Sequence, residues 1–452
     1  MSDVRAKFQL VVEKLLALAN NAASPSKRSD FPFPRLIATG DGGSIEISEE
    51  IDDLITNIAS DLKKEELSRA TIHTDEEWRA TVRRAFGPAL AKLDLTQTAD
   101  ERTDDVVTSV REFLLELEAD VTPYEYSFGL TLFPGNEIDP FHVGPICFEP
   151  RVIWLKRKSA DGAVTAITKR RILKAWQGDR LAKRKPSTDS SREQDILTAV
   201  GKCPWVVSIS TTGLANDAGK QRALTAARMA TAVISLFWAK PSSVLDGVNL
   251  LVDRSIRREK VLTFIPGRII LAGSRMIGRP NEPFISKPDW EQSLADYDLV
   301  LKTTGEVISF YLEPTGNVRR PKLMNALAQA ILWFHEGCRE TVTLMAIVKL
   351  TATLDALAKG DKSGGIKRMI TARLGPNPSD KFWADGTTME EGVKEIYSDG
   401  RSRTMHGTND RIGHDWTSTR ARAEGLARLC LIVCMEWASN NASFDDPALL
   451  QK

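Results

Sequence analysis

The side chains best suited to chemistry lie in one stretch, EIYSDGRSRTMHGTNDRIGHDW, residues 395–416. It holds His406 and His414, two of the chain's five histidines, among arginines and three glycines. Arg401 and His406 are the pair of interest. A neutral imidazole takes or gives a proton near neutral pH. A guanidinium grips a phosphate and stabilises charge developing on its oxygens. Together they suit cleavage of an RNA phosphodiester, where the 2′-hydroxyl must lose a proton and the leaving oxygen must gain one. No carboxylate or cysteine cluster lies beside them, so the reading calls for no metal and no cofactor. The same residue types also describe a solvated basic turn with a surface histidine.

Spacing makes a specific demand on the backbone. Asp399–Gly400 is a turn signal, so a helix is expected to start near Arg401 and to break at Gly407. Five residues of α-helix rotate a side chain by about 140°. Arg401 and His406 therefore reach one cleft only if the chain bends at Gly400 or Gly407. Ser402 is either a phosphate contact or a helix-start cap. Arg403 is a second phosphate contact or a solvated arginine. His414, beside Asp415 and Trp416, either extends the RNA site or pairs with Asp415. His335 reads as a packed helix residue, His73 and His142 have no catalytic company, and the histidines lack zinc-ligand spacing.

Three blocks of pattern must position these groups. Residues 1–122 read as a helical N-terminal region. Ser48 opens one helix, Thr74 with Glu77 has capping-box spacing at another, and SPSKRSDFPFPRLIATGDGGS separates the first helix from the next. Residues 123–320 read as a mixed α/β domain. YSFGLTLF, GPICFEPRVIWLKRK and AVTAITKRR contain strand-like runs, CPWVVSISTTGL reads as a buried strand, a long helix follows, and KVLTFIPGRIILAGSR reads as a hairpin or two sheet strands. Residues 321–452 return to helices whose apolar residues recur at steps of three and four, the pattern of an antiparallel bundle. The fold class expected is α+β.

Composition narrows the function classes. The formal net charge of +1 gives no whole-chain field, so nucleic-acid binding must come from local patches. One such patch runs from Lys156 to Lys185, with eleven basic residues against Asp161 and Asp179 and with Trp154 and Trp176 nearby. DRSIRREK, residues 253–260, is a smaller one. The turn in STTGLANDAGKQRA lacks the spacing of a nucleotide-binding loop. Five scattered cysteines without a CxxC pair suit a reducing compartment. The amphipathic N-terminus and the short apolar runs predict a cytoplasmic protein with no membrane span.

From about residue 340 onward the chain resembles the Apea-like branch of the HEPN superfamily. That superfamily carries an arginine followed after a short spacer by a histidine, and this branch shows it as lY-x-x-R-S-x-x-x-H-G. IYSDGRSRTMHG supplies Ile396, Tyr397, Arg401, Ser402, His406 and Gly407, with one extra residue between Tyr397 and Arg401. VKLTATLDALAK resembles the family's aLEaLl helix, with Asp355 in place of the common glutamate, and IKRMITARLG follows in order. The resemblance implies an all-α bundle that forms a homodimer, two motifs sharing one cleft, and metal-independent RNase activity in toxins or anti-phage defence. Arg401 and His406 carry over as catalytic. The first two blocks would then restrain the enzyme until a trigger arrives or an antitoxin partner leaves. HEPN domains also occur as non-catalytic dimerisation or RNA-binding modules.

Overall fold

A computed structural model of the chain describes residues 2–21, 35–65, 71–119, 123–134, 137–253, 257–277, 283, 285–313, 318–411 and 413–452. It divides into two units, Met1–Tyr124 with Thr211–Gln221, and Glu125–Ser210 with Arg222–Lys452.

The first unit is built from α1 (Ser2–Asn21), the hairpin of β1 (Arg35–Ala38) and β2 (Ser44–Ile47), α2 (Glu49–Glu65), α3 (Asp75–Ala91) and α4 (Ala99–Ala119). Ser48 caps α2 by accepting from the Ile51 amide at 3.3 Å. The Thr74–Glu77 capping box forms at α3 as its spacing predicts. The Glu77 carboxylate also accepts from the Asp217 and Ala218 amides at 2.8 and 3.2 Å. Phe8, Ile51, Ile55, Trp78, Phe86 and Val110 are among the buried core residues. Residues 22–34, most of the stretch read as a separator, lie outside the described residues. Its end, from Arg35 onward, forms β1 and leads into β2.

The second unit holds a five-stranded sheet in the order β4–β5–β6–β3–β7. Its strands are β3 (Tyr124–Thr131), β4 (Phe141–Val143), β5 (Ile146–Pro150), β6 (Trp205–Thr211) and β7 (Asn249–Leu250). Pairs β4–β5, β5–β6 and β3–β7 are antiparallel. Alternation along the strands sends Ile146, Phe148, Val207 and Ile209 into the large core. Val206 instead joins a small core with Trp154, Leu155, Val164, Ile172 and Val200.

That small core is contributed by α5 (Arg151–Ala160), α6 (Ala166–Gln177) and α7 (Thr188–Val200). Here the strand reading of AVTAITKRR is corrected, because these residues form α6. Thr165 caps the helix by accepting from the Thr168 amide, and the buried Thr168 and Ile172 are one helical turn apart. The end of GPICFEPRVIWLKRK likewise leaves the sheet at Pro150 and becomes α5.

The remaining helices are α8 (Asn216–Ser235), α9 (Pro241–Gly247), α10 (Lys287–Asp296), α11 (Asp298–Leu312), α12 (Pro321–Arg339), α13 (Thr343–Leu357), α14 (Lys362–Leu374), α15 (Met389–Lys394), α16 (Arg403–Met405) and α17 (Thr417–Asn440). The expected hairpin forms as β8 (Arg257–Ile265) and β9 (Arg268–Ile277). In DRSIRREK, residues 254–256 lie outside the described residues.

The C-terminal helices and the sheet share one large core, and the fold is α+β. Buried polar contacts fix the helices of this core. The Thr303 hydroxyl donates to the Met435 carbonyl at 2.7 Å, and Arg320 donates to the Ala438 carbonyl at 2.7 Å. Buried Glu424 accepts from the Ser242 amide and hydroxyl at 2.8 and 2.9 Å, capping α9. Cys430 and Cys434 are fully buried in this core, as their helical spacing suggests.

Candidate functional site

The helix carrying the arginine and histidine starts well before Arg401. Thr388 and Glu391 form a capping box, and α15 begins at Met389. The helix continues as a π-helix over Glu395–Ser402, marked by the Arg403 amide donating to the Ser398 carbonyl five residues back. It then returns to α spacing in α16.

The expected turn at Asp399–Gly400, with a helix start near Arg401, is therefore corrected. Gly400 is buried inside the helix, and a Cβ there would lie 2.7 Å from Ile347 Cγ2 on α13. Glycine at this position permits close approach of two helices. It does not bend the chain.

Gly407 does end the helix. Its φ is 68°. The Gly407 amide donates to the Thr404 carbonyl at 3.2 Å, and the Thr408 amide to the Arg403 carbonyl at 2.8 Å. This is a Schellman stop. His406 is thus the cap that follows the last helical residue, Met405, and it is exposed, with its amide bonded to the Ser402 carbonyl at 3.0 Å. The break follows His406, so neither glycine turns the backbone between His406 and Arg401.

Arg401 is braced from two sides. Its guanidinium carbon lies 5.2 Å from the centre of the Tyr397 ring, and Nη1 donates to the Tyr397 hydroxyl at 3.4 Å. Nη2 stands 3.5 Å from Oδ2 of Asp355, on α13. The second oxygen of Asp355, Oδ1, is buried without a hydrogen-bond partner. Burial, and then the Asp355 charge, push the Tyr397 hydroxyl above its ordinary pKa against the opposing effect of Arg401, so the ring stays neutral at physiological pH. Arg401, Tyr397 and Asp355 are brought together, whereas the His406 ring makes no hydrogen bond or ion pair to them.

The other candidates are placed differently. Ser402 lies within the helix and does not cap its start. Arg403 reaches Asp399 at 3.7 Å and Asp410 at 3.5 Å. Arg411 meets the same Asp399 at 3.1 Å and lies over the Trp416 ring at 5.8 Å. His414 sets its ring edge-on to Trp416, with centres 4.6 Å apart. The alternative pairing of His414 with Asp415 does not form. Asp415 accepts from the Thr417 amide at 2.9 Å, and the Thr417 bonds hold its carboxyl below the usual range. Asp399, not singled out in the sequence, ties Arg403 and Arg411 to the helix. Its position four residues before Arg403 was the available signal. Glu395 is a second such group, bonded to Thr419 and Arg422 of α17.

The basic run between Lys156 and Lys185 is partly consumed by internal pairs. Arg157 bonds Glu149 at 2.6 Å and Glu125 at 3.1 Å, and Lys158 meets Glu125 at 2.6 Å. Burial would raise the Glu125 carboxyl, yet the Arg157 and Lys158 bonds outweigh it and hold it at about 2. Arg171 and Arg184 share Glu193 at 2.8 and 3.0 Å.

Among the described residues, no group of three or more His, Cys, Asp or Glu side chains could hold a metal ion. Among the same residues, no helix is long and apolar enough to cross a membrane. Comparison with protein-family models, curated proteins and solved structures finds no match to this chain.

Proposed function

We propose that this chain is a metal-independent endoribonuclease of the HEPN type, acting in the cytoplasm as a regulated toxin or anti-phage effector. The observation that carries the reading is a half-buried arginine, braced by Asp355 and Tyr397, on the same short helix as an exposed histidine held at the helix end by a glycine stop. The one-residue excess between Tyr397 and Arg401, relative to the family pattern, falls inside the π-helix. A π turn accommodates one extra residue, so the departure from the pattern has a structural place.

The resemblance to the HEPN superfamily favours a composite site. Two copies facing each other would supply two arginines and two histidines to one cleft. In the reaction proposed, His406 takes the proton of a 2′-hydroxyl as its oxygen bonds the phosphorus. His406 of the partner subunit, protonated, gives a proton to the leaving 5′-oxygen as its bond breaks. The products are a 2′,3′-cyclic phosphate and a free 5′-hydroxyl. Arg401 neutralises the oxygens of the pentacovalent phosphorus.

The test is cleavage of a labelled RNA in EDTA by the wild type, His406→Ala and Arg401→Ala. General acid–base catalysis contributes roughly 10²- to 10⁴-fold, so His406→Ala is expected to lose at least about 100-fold. Equal cleavage by wild type and His406→Ala removes the assignment. The ion pair of Arg401 with Asp355 favours a second reading, a non-catalytic RNA-binding or dimerisation module in which that arginine is structural. A dimeric wild type that binds RNA without cutting it would establish that alternative.

A further inference from the structure

Beyond the paired side chains of the basic run, six cations remain exposed with no ion pair: Lys156, Arg170, Lys174, Arg180, Lys183 and Lys185. Their exposure is built into the local structure. On α6 the buried Thr168 and Ile172 face the small core, which leaves Arg170 and Lys174 on the outer face, one turn and about 6 Å apart. Gly178 then ends the helix in the left-handed conformation at φ 94°, and residues 179–185 run on without helix or strand.

Two arginines fasten that run. Arg184 donates to the Thr168 hydroxyl and to Glu193 at 3.0 Å, and to Asp189 at 3.1 Å. Arg171 donates to the Ala182 carbonyl at 2.9 Å. With Arg184 turned inward, Lys183 and Lys185 on either side are exposed. Glu193 and Asp189 are spent on holding the scaffold, which leaves Asp161 and Asp179 as the exposed carboxylates of the run.

Like charges in excess of their counter-charges repel one another. This cluster sits in a chain whose formal net charge is only +1. Ordered cations at spacings of one helical turn, or of two extended residues, match a flexible polyanion better than a single small anion.

We propose that α5, α6 and the 178–187 segment form a docking surface for the sugar–phosphate backbone of single-stranded RNA, independent of base sequence and separate from Arg401 and His406. The choice of RNA among polyanions rests on the ribonuclease reading. The surface holds the strand while cleavage takes place elsewhere on the chain.

The experiment uses the full chain carrying His406→Ala, so that RNA stays intact, and fluorescence anisotropy of a labelled oligouridine. For a single strand, log K falls with log salt at a slope of about −0.7 per phosphate neutralised. Six contacts give a slope of about −4.2, so doubling the salt weakens binding about 18-fold. Converting Arg170, Lys174, Lys183 and Lys185 to Gln should leave a slope of about −1.4. Lys240→Gln with Lys302→Gln, equally exposed, should leave it unchanged.

A slope that survives the fourfold change overturns the proposal, as does an equal loss in the control pair. Binding to phosphatidylserine vesicles in place of RNA overturns it in favour of a membrane. No binding to either also overturns it. A wild type that cleaves RNA while the fourfold variant keeps its salt slope defeats this surface alone. A chain that binds as expected but never cleaves defeats the ribonuclease reading alone.

Discussion

Gly400→Ala is the sharpest probe of how Arg401 is held. Gly400 is helical, so alanine meets no backbone prohibition, and in a helix interior alanine gains about 1 kcal/mol over glycine. Against this gain stands a new Cβ 2.7 Å from Ile347 Cγ2, where Ile347 is fully buried. Ordinary carbon contact begins near 3.5 Å, so the π segment and α13 must separate by about 0.8 Å. Overpacking of this kind costs about 1–3 kcal/mol. The expected net effect is a loss of about 0–2 kcal/mol, measured by urea unfolding.

The functional effect should exceed the stability effect. Arg401 is the next residue after Gly400, and its partner Asp355 belongs to the helix that must move. A separation of 3.5 Å between them would widen, and RNA cleavage should fall with it. Ile347→Ala removes the clashing methyl, so the double variant should be less destabilised than the sum of the singles, by more than the additivity error of about 0.5 kcal/mol. A Gly400→Ala protein stabilised by about 1 kcal/mol with full activity would refute the close-packing account. So would additivity in the double variant.

Two further predictions concern charge. Arg401→Ala leaves the half-buried Asp355 with neither oxygen matched, at an expected cost of about 1–3 kcal/mol. Asp355→Ala combined with Arg401→Ala should recover part of that loss in a double-mutant cycle, and strict additivity would show that the pair does not interact. Burial lowers the pKa of His335, against the raising effect of the Glu336 bond at 3.1 Å, and favours the neutral ring in the folded chain. The unfolded chain then binds more protons below about pH 6.5, so stability falls as pH drops through that value and levels off below the folded pKa. His335→Gln should flatten the fall in stability between about pH 7 and pH 5, and an unchanged slope would count against it.

Much of the helical layout could be read directly, because capping residues and apolar periodicity act locally. Thr74 with Glu77 and the Cys430–Cys434 spacing are such cases. AVTAITKRR misled because β-branched residues favour strands, whereas the small core selected the helix that buries Thr168 with Ile172. At the site, residue types and order singled out Arg401 and His406 as candidates, and the expected stop at Gly407 forms. Gly400 was misread because Asp-Gly signals a turn unless a neighbouring helix needs the room, and that neighbour, Ile347, lies more than 50 residues away in sequence. The Asp399 pair with Arg411 was equally hidden, since Arg411 returns to Asp399 only through the fold of the following loop.

The π-helix over Glu395–Ser402 also makes chain length and residue identity separable at this point. The helices on its two sides keep separate registers: α15 is set by its Thr388 cap, and α16 by its stop at Gly407. The turn between them acts as a slack link that holds one residue more than an α-helix of the same span. Loss of that residue would close the link to ordinary spacing while each flank kept its own anchor. The bracing of Arg401 by Tyr397 and Asp355 is the part that the fold holds in place.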